Sequence, residues 1–271
     1  MKKINVVVLM GGRTAEHDVS LKSGAMVVEH LDRKRYDVMP VVISRDGRWH
    51  VPRRPAGSKK RSLSYVSNRR RRFLPAGEAL RRLLGRRIDC VFIAMHGPYG
   101  EDGTVQGMME MLDLPYTGSD VCASALAMDK VKSKEIFRHN RIPTPPSLVI
   151  EAATWMKDRK KCLAGIKNTV GYPCFLKPVR LGSSVGLTIC KNQAELLKEM
   201  PSSIGYGGRV LVEACVEGRE FTCAVIDTPG GKPAIALPPT EIIPQTRSWF
   251  DYHAKYTPGA SLEITPARIG G

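Results

Sequence analysis

Residues 175–190 read FLKPVRLGSSVGLTIC. An apolar run ends in Lys177 and Pro178, a loop of glycine and serine follows, and a second apolar run ends at Cys190. This is not the phosphate loop in which glycines precede the lysine and a helix follows it. The order strand, lysine, small-residue loop, strand describes a hairpin. Its turn can fold over phosphates, offering backbone N–H groups and the hydroxyls of Ser183 and Ser184, while Lys177 supplies a point charge. The same residues also fit a plain hairpin with a surface lysine, so their neighbours must decide.

Working outward, Asp129 can cap a helix running to about Asn140, which IPTPP (142–146) stops, because proline lacks the donor and biases the residue before it away from helix. The runs CFLKP, GLTIC, RVLVEACV and REFTCAVID then read as a meander of short strands with one helix near Gln193–Met200. That pattern predicts an α+β domain with antiparallel pairing. Lys130 lies at the start of the helix that opens this half; alone it would be a solvated helix charge. Glu213 ends the strand RVLVE and Glu220 follows in VEGREFT. A carboxylate at a strand end can accept from an adenine amino group or ribose hydroxyls, and Glu220 could as readily pair with Arg219 on the surface.

The first half alternates differently. NVVVL (5–9), VMPVVI (38–43) and IDCVFIAM (88–95) read as buried strands. Leu21, Ala25, Val28 and Leu31 fall on one helical face, and Val105, Met108, Met109 and Leu112 form a second stripe that reads as core packing. Strand–helix alternation predicts a parallel sheet with helices on both faces and ligands at the carboxyl ends of the strands. The loops GGRTAEHDVS (11–20) and HGPYGEDG (96–103) lie at such ends, and neither is a dinucleotide fingerprint. The boundary between the halves is expected near residue 125.

The 271 residues are 42% hydrophobic and 25% charged, an ordinary globular composition. No apolar run approaches the roughly 20 residues of a membrane span. The start, MKKINVVVLMGG, reads as a buried strand rather than a signal peptide. Seven cysteines without a C-x-x-C read as free thiols in a reducing cytoplasm. The net charge of +16 is localised, since residues 53–87 hold thirteen Lys/Arg against the single acid Glu78, a net of +12. This basic insertion, 53–74, reads first as a solvated surface segment, and second, over 53–72, as a patch for nucleic acid or an acidic surface.

In order, GGRTAEHDVSLKSG, HGPYGEDGTVQGMMEMLDLPYTGSDVCASALAMDK, FLKPVRLGSSVG, VEACVEGREFT and FDYHAKY closely resemble the D-alanine–D-alanine ligases, ATP-grasp enzymes of peptidoglycan precursor synthesis. The resemblance covers nearly the whole chain outside about residues 53–74. It implies an N-terminal α/β substrate domain (1–125), a central ATP-grasp subdomain (126–217) and a partial C-terminal subdomain (218–271). It implies ATP and Mg²⁺ (or Mn²⁺) as cofactors, D-alanine as substrate, a homodimer and a cytoplasmic location. Lys130 and Lys177 match the family's nucleotide-phosphate lysines, with Ser184 beside them. Glu213 and Glu220 match the adenine- and ribose-binding carboxylates, with Ala214 and Val216 as backbone contacts. Glu16 matches the residue that holds the first D-alanine's ammonium, Ser183 and Tyr256 its hydrogen-bonded partners, Lys255 a loop lysine near the phosphates, and His96 a histidine near the substrate. The loop after Lys177 and the WFDYHAKY segment would act as lids that exclude water from an acyl phosphate. Tyr256 implies an amine acceptor rather than D-lactate.

The family continues for roughly another quarter of its length beyond EITPARIGG, and that part carries the acidic metal ligands, an arginine near the reacting phosphate and an N-x-x-P-G segment. None is matched within these residues, so metal ligands are expected beyond Gly271, and the 271 residues alone are expected to have little ligase activity. Two further readings follow: a nucleotide-binding ATP-grasp remnant that does not react, and an interaction protein acting through the basic insertion.

Overall fold

The β-branched runs of the first half pair side by side because nearly every residue in them is apolar, which suits strands buried on both faces. β1 (Ile4–Gly11) lies parallel to β2 (Tyr36–Ile43) and to β4 (Cys90–Ile93), in the order β3-β2-β1-β4. The short β3 (Trp49–His50) adds an antiparallel edge to β2. The structure, a computed structural model, describes residues 2–55, 71–245, 255–257 and 259–269. Most of the basic insertion and of WFDYHAKY lies outside the described residues.

Successive side chains point to opposite faces of the sheet. Val7, Leu9, Val41 and Ile43 join one core with Leu83 of α2 (Ala76–Leu84) and Val105 and Met109 of α3 (Thr104–Met111). Val6, Val8, Met10, Val38 and Val42 join a second with Val28 of α1 (His17–His30). Met108 and Leu112 pack against the first core, as their stripe predicts. Two further helices follow, α4 (Val121–Met128) and α5 (Lys130–His139).

Contacts divide the chain into two compact units: Met1–Pro143 with Val179–Gly182, and Thr144–Pro178 with Ser183–Gly271. The sequence reading starts the second domain near residue 125, whereas α5 groups here with the first unit. The expected break at 217/218 falls between the two sheets of the second unit.

In that unit β5 (Ser147–Glu151), β8 (Arg209–Ala214), β6 (Cys174–Pro178) and β7 (Thr188–Cys190) form an antiparallel sheet in that order. One face buries Cys174, Leu176, Val210 and Val212 against α6 (Ala152–Lys157), α7 (Arg159–Thr169) and α8 (Gln193–Gly205). Full burial of a side chain such as Leu176 is worth roughly 1.5–3 kcal/mol. A smaller antiparallel sheet follows, with β12 (Thr240–Pro244) between β9 (Glu220–Thr222) and β13 (Ser261–Ile264), beside the pair β10 (Val225–Ile226) and β11 (Ile235–Ala236).

Of the helices in this unit the sequence reading named only the one near Gln193–Met200; the described residues also hold α6 and α7, ahead of β6. α6 and α7 escape the periodicity because α7 buries only Cys162 and Ile166 among lysines and arginines. α8 also runs past Met200 and through Pro201, held by the burial of Met200 and Ser203 on either side. All seven cysteines are free thiols, with Cys162, Cys174 and Cys190 buried and Cys122 and Cys223 exposed. Among the described residues, no helix is long and apolar enough to cross a membrane.

Candidate active site

The carboxyl ends of β1 and β4 carry the first cluster. Gly11 and Gly12 turn the chain at φ +88° and +109°, a region that favours glycine. Thr14 then accepts from Glu16 N–H (3.0 Å) and donates to His96 carbonyl (3.2 Å), tying the two loops together. Glu16 stands at the N-cap of α1 without capping it. Its carboxylate, in a residue only 3% exposed, is turned toward glycine backbone instead. A Cβ on Gly97 would come within 2.0 Å of Glu16 Oε2, and one on Gly182 within 3.3 Å. Glycine at both positions makes the space this carboxylate occupies.

His96 adjoins it. The ring's Nε2 lies 2.9 Å from Ser23 Oγ, and Nδ1 lies 4.0 Å from Glu101 Oε1. Glu101 also accepts from Gly97 N–H at 2.7 Å. The neighbouring Glu101 carboxylate raises the His96 pKa against burial, with Glu16 adding to the effect. Burial pushes Glu101 upward, but His96 and the Gly97 N–H outweigh it and hold the carboxyl below its ordinary range. The cluster therefore offers a buried anion beside a histidine biased toward its cationic form.

Lys130 begins α5, whose cap Asp129 accepts from the N–H groups of Val131 and Lys132 (both 3.1 Å) and pairs with Arg180 at 2.9 Å. Asp129 is 3% exposed; burial raises its pKa, but Arg180 and the two N–H groups bring it below the ordinary value. Lys130 N–H donates to Val179 carbonyl at 3.1 Å and its ammonium to Leu181 carbonyl. The root of the glycine–serine loop is thus fastened to the start of α5.

In the second unit Lys177 and Phe175 alternate with the buried Cys174 and Leu176, so both project from the open face of the sheet. Glu213 sits opposite Phe175 on β8 and forms an ion pair with Lys177, whose ammonium lies 5.1 Å over the Phe175 ring. A cavity of about 730 Å³ lies at this edge, lined by Phe175, Ile189, Lys191, Val216 and Glu220 among others. Ala214 N–H donates to Pro146 carbonyl (2.9 Å) and Cys215 N–H to Pro173 carbonyl (3.2 Å). Those donors belong to the sheet, and Val216 is the next backbone donor, on the cavity wall. Arg219 does not pair with Glu220. It grips Glu241 with two hydrogen bonds (2.6 and 2.8 Å) and leaves Glu220 on the cavity.

The loop itself holds Ser183 and Ser184 at φ +49° and +58°, unusual for side-chain-bearing residues and of a kind that concentrates at functional sites. Ser183 is hydrogen-bonded to the Tyr256 hydroxyl. Gly186 is required: its φ is +69°, and a Cβ would meet Tyr206 at 2.7 Å and Pro178 at 2.8 Å. Lys255, half-buried, precedes Tyr256.

The structure brings together Glu16 and His96 in the first unit, and Lys177 with Glu213, and Ser183 with Tyr256, in the second. Sequence reasoning missed Phe175, Glu101 and Ser23. The period-2 alternation around Lys177 signalled the first; the other two become visible only when the loops meet. The apolar walls and carboxylate rim of the cavity fit an adenine and ribose. Among the described residues, no three His, Cys, Asp or Glu side chains converge where a metal ion could sit.

A parallel sheet with a buried carboxylate at its carboxyl end, joined to an antiparallel sheet with a lysine-bearing open face and a glycine–serine hairpin, has the architecture of the ATP-grasp ligases. Residues 5–119 match the family described as D-ala D-ala ligase N-terminus, and residues 136–270 the D-ala D-ala ligase C-terminus. The chain is 37% identical to a D-alanine–D-alanine ligase of Treponema denticola over 276 residues, covering 96% of this chain and 74% of that one. It is also 37% identical to one of Thermoanaerobacter over 289 residues, covering 99% and 76%. Among solved structures, the VanG D-Ala:D-Ser ligase of Enterococcus faecalis superposes with a TM-score of 0.78 at 30% identity, over 99% of this chain and 78% of that one. The D-alanine–D-alanine ligase of Bacillus anthracis gives 0.68 at 30%, over 96% and 71%. The chain belongs to the D-alanine–D-alanine ligase family.

Proposed function

We propose that this chain serves the ATP-dependent joining of two D-alanines into D-alanyl-D-alanine for peptidoglycan precursors. ATP, when bound, supplies the phosphoryl group that converts the first D-alanine's carboxylate into an acyl phosphate; the amine of the second attacks the acyl carbon, forming the C–N bond, losing a proton and releasing inorganic phosphate. Positioning and charge stabilisation then supply most of the catalysis. The reading rests above all on the open face of Lys177, Phe175 and Glu213 beside a cavity that ends at Glu220, in a chain of this family.

In this proposal Phe175 and Ile189 flank the adenine, Val216 N–H and Glu213 meet its edge, with Ala214 beside them, and Glu220 takes the ribose hydroxyls. Lys130, Lys177 and Ser184 hold phosphate oxygens, and Lys255 approaches them from its loop. Glu16 receives the first D-alanine's ammonium, His96 lies beside its carboxylate, and Ser183 and Tyr256 supply hydroxyls to the same substrate. Mg²⁺ or Mn²⁺ accompanies the phosphates on ligands other than a cluster among the described residues. The chain works in the cytoplasm as a homodimer.

Calorimetric titration of a non-hydrolysable ATP analogue tests the nucleotide half. Saturable binding that Glu220→Ala weakens supports it; binding indifferent to both Glu220→Ala and Lys177→Met contradicts it.

A further inference from the structure

Glu16, Ser20 and Ser23 are spaced at i, i+4 and i+7, which puts them on one face of α1. Each meets the carboxyl end of β1 or β4, or the loop that follows. Glu16 sits against Gly97, and Ser20 Oγ donates to Ala94 carbonyl (2.7 Å) while accepting from Gly11 N–H (2.8 Å). Ser23 Oγ lies 2.9 Å from His96 Nε2. The stripe docks α1 onto the site through hydrogen bonds rather than apolar contact alone, and its last member touches the histidine.

Ser23 is also the closest partner the imidazole has. Glu101 stands 4.0 Å from Nδ1, beyond hydrogen-bond length, and it also accepts the Gly97 N–H. Glu101 and Glu16 therefore set the field around the ring, while Ser23 fixes how the ring is turned. A hydroxyl suits this role because it can accept from Nε2–H when the ring is a cation and donate to Nε2 when the ring is neutral. The charged form gains more, since hydrogen bonds to ionised groups are the stronger kind.

We propose that Ser23 is a positioning residue for the family's reaction, holding the His96 ring so that it and the Glu16 carboxylate face the two poles of an amino-acid zwitterion. One helix would then set both poles of the substrate site: Glu16 at its N-cap and, two turns on, the tether of its counterpart. The assignment of the zwitterion rests on the proposed function; the tether itself does not.

Two measurements separate these. Ligand-free protein is titrated by NMR through the His96 Cε1–H resonance, assigned by its loss in His96→Gln. Ser23→Ala lowers the midpoint by about one pH unit, and Ser23→Thr, which keeps the hydroxyl, restores most of it. A midpoint unchanged or raised in Ser23→Ala, or an equal fall in Ser23→Thr, overturns the tether. Calorimetry of D-alanine binding then tests the pairing. Binding weakened about fivefold to tenfold in Ser23→Ala and recovered in Ser23→Thr supports it. A moved midpoint with unchanged D-alanine affinity keeps the tether and rejects the pairing. Absence of D-alanine binding in the unaltered chain instead counts against the proposed function.

Discussion

Replacing Lys177 with methionine keeps most of the side chain's volume and removes its charge, which isolates what the ion pair with Glu213 does. Breaking a fully buried pair costs about 3–5 kcal/mol, because the remaining charge loses its partner without regaining water. Here the lysine side chain is 22% exposed and the glutamate 10%, so water reaches the lysine end but little of the carboxylate. A loss of about 2 kcal/mol is expected for Lys177→Met, including the cation–π contact with Phe175. Glu213→Gln alone should cost a similar amount, and the double variant much less than the sum, because no charge is left stranded. Urea denaturation read by the midpoint at constant slope measures all three. Nucleotide binding should not recover in the double variant, since it still lacks the cation proposed to meet the phosphates. A loss of about tenfold or more in affinity for an ATP analogue is expected both in Lys177→Met and in the double variant. Additive stability losses would refute the pairing, and recovery of nucleotide affinity in the double variant would refute the assignment of Lys177 to phosphate.

Gly97→Ala should abolish D-alanine binding measured by calorimetry and cost about 1–3 kcal/mol in urea, because a Cβ there lands 2.0 Å from Glu16 Oε2 at φ +68°. Gly186→Ala should leave the first unit folded but weaken ATP-analogue binding, since the loop must move away from Tyr206 and Pro178; unchanged affinity would show that the loop does not approach the nucleotide. The His96–Glu101 pair gives a pH signature. His96 is raised above 6.5, so its contribution is full below that value and fades as pH rises through its folded pKa. Glu101 is depressed below 4.5, so its contribution is present above that value and is lost as pH falls. Glu101→Gln should therefore be most destabilising between about pH 4.5 and 6.5, less so as pH rises through the raised His96 pKa and less so as pH falls below 4.5, by urea denaturation at each pH; a penalty constant across these ranges contradicts the pair.

The parallel sheet was legible because strands buried on both faces leave almost wholly apolar, valine-rich runs at 5–9 and 38–43. The loops at 11–20 and 96–103 could be singled out because they follow strands of such a sheet, whose carboxyl ends are where ligands gather in this architecture. Lys177 and Glu213 could be named but not joined, since their pairing depends on the β6–β8 register, which no local signal encodes. Arg219 shows the opposite error: proximity in sequence suggested Glu220, and a strand pairing twenty-two residues on delivered Glu241 instead. α7 was illegible for a compositional reason, because its buried face is two residues wide. Ser23 carries no signal within its own helix, since its partner arrives from a loop 73 residues away.

The central claim is that Glu16 and its surroundings form a site for one enantiomer of a small amino acid in a chain that also binds ATP. Calorimetric titration of D-alanine, with L-alanine as control, into the chain saturated with a non-hydrolysable ATP analogue tests it most directly. Saturable heat with D-alanine, little with L-alanine, and none in Glu16→Gln is the predicted result. Equal binding of the two enantiomers, or D-alanine binding unaffected by Glu16→Gln, would contradict it.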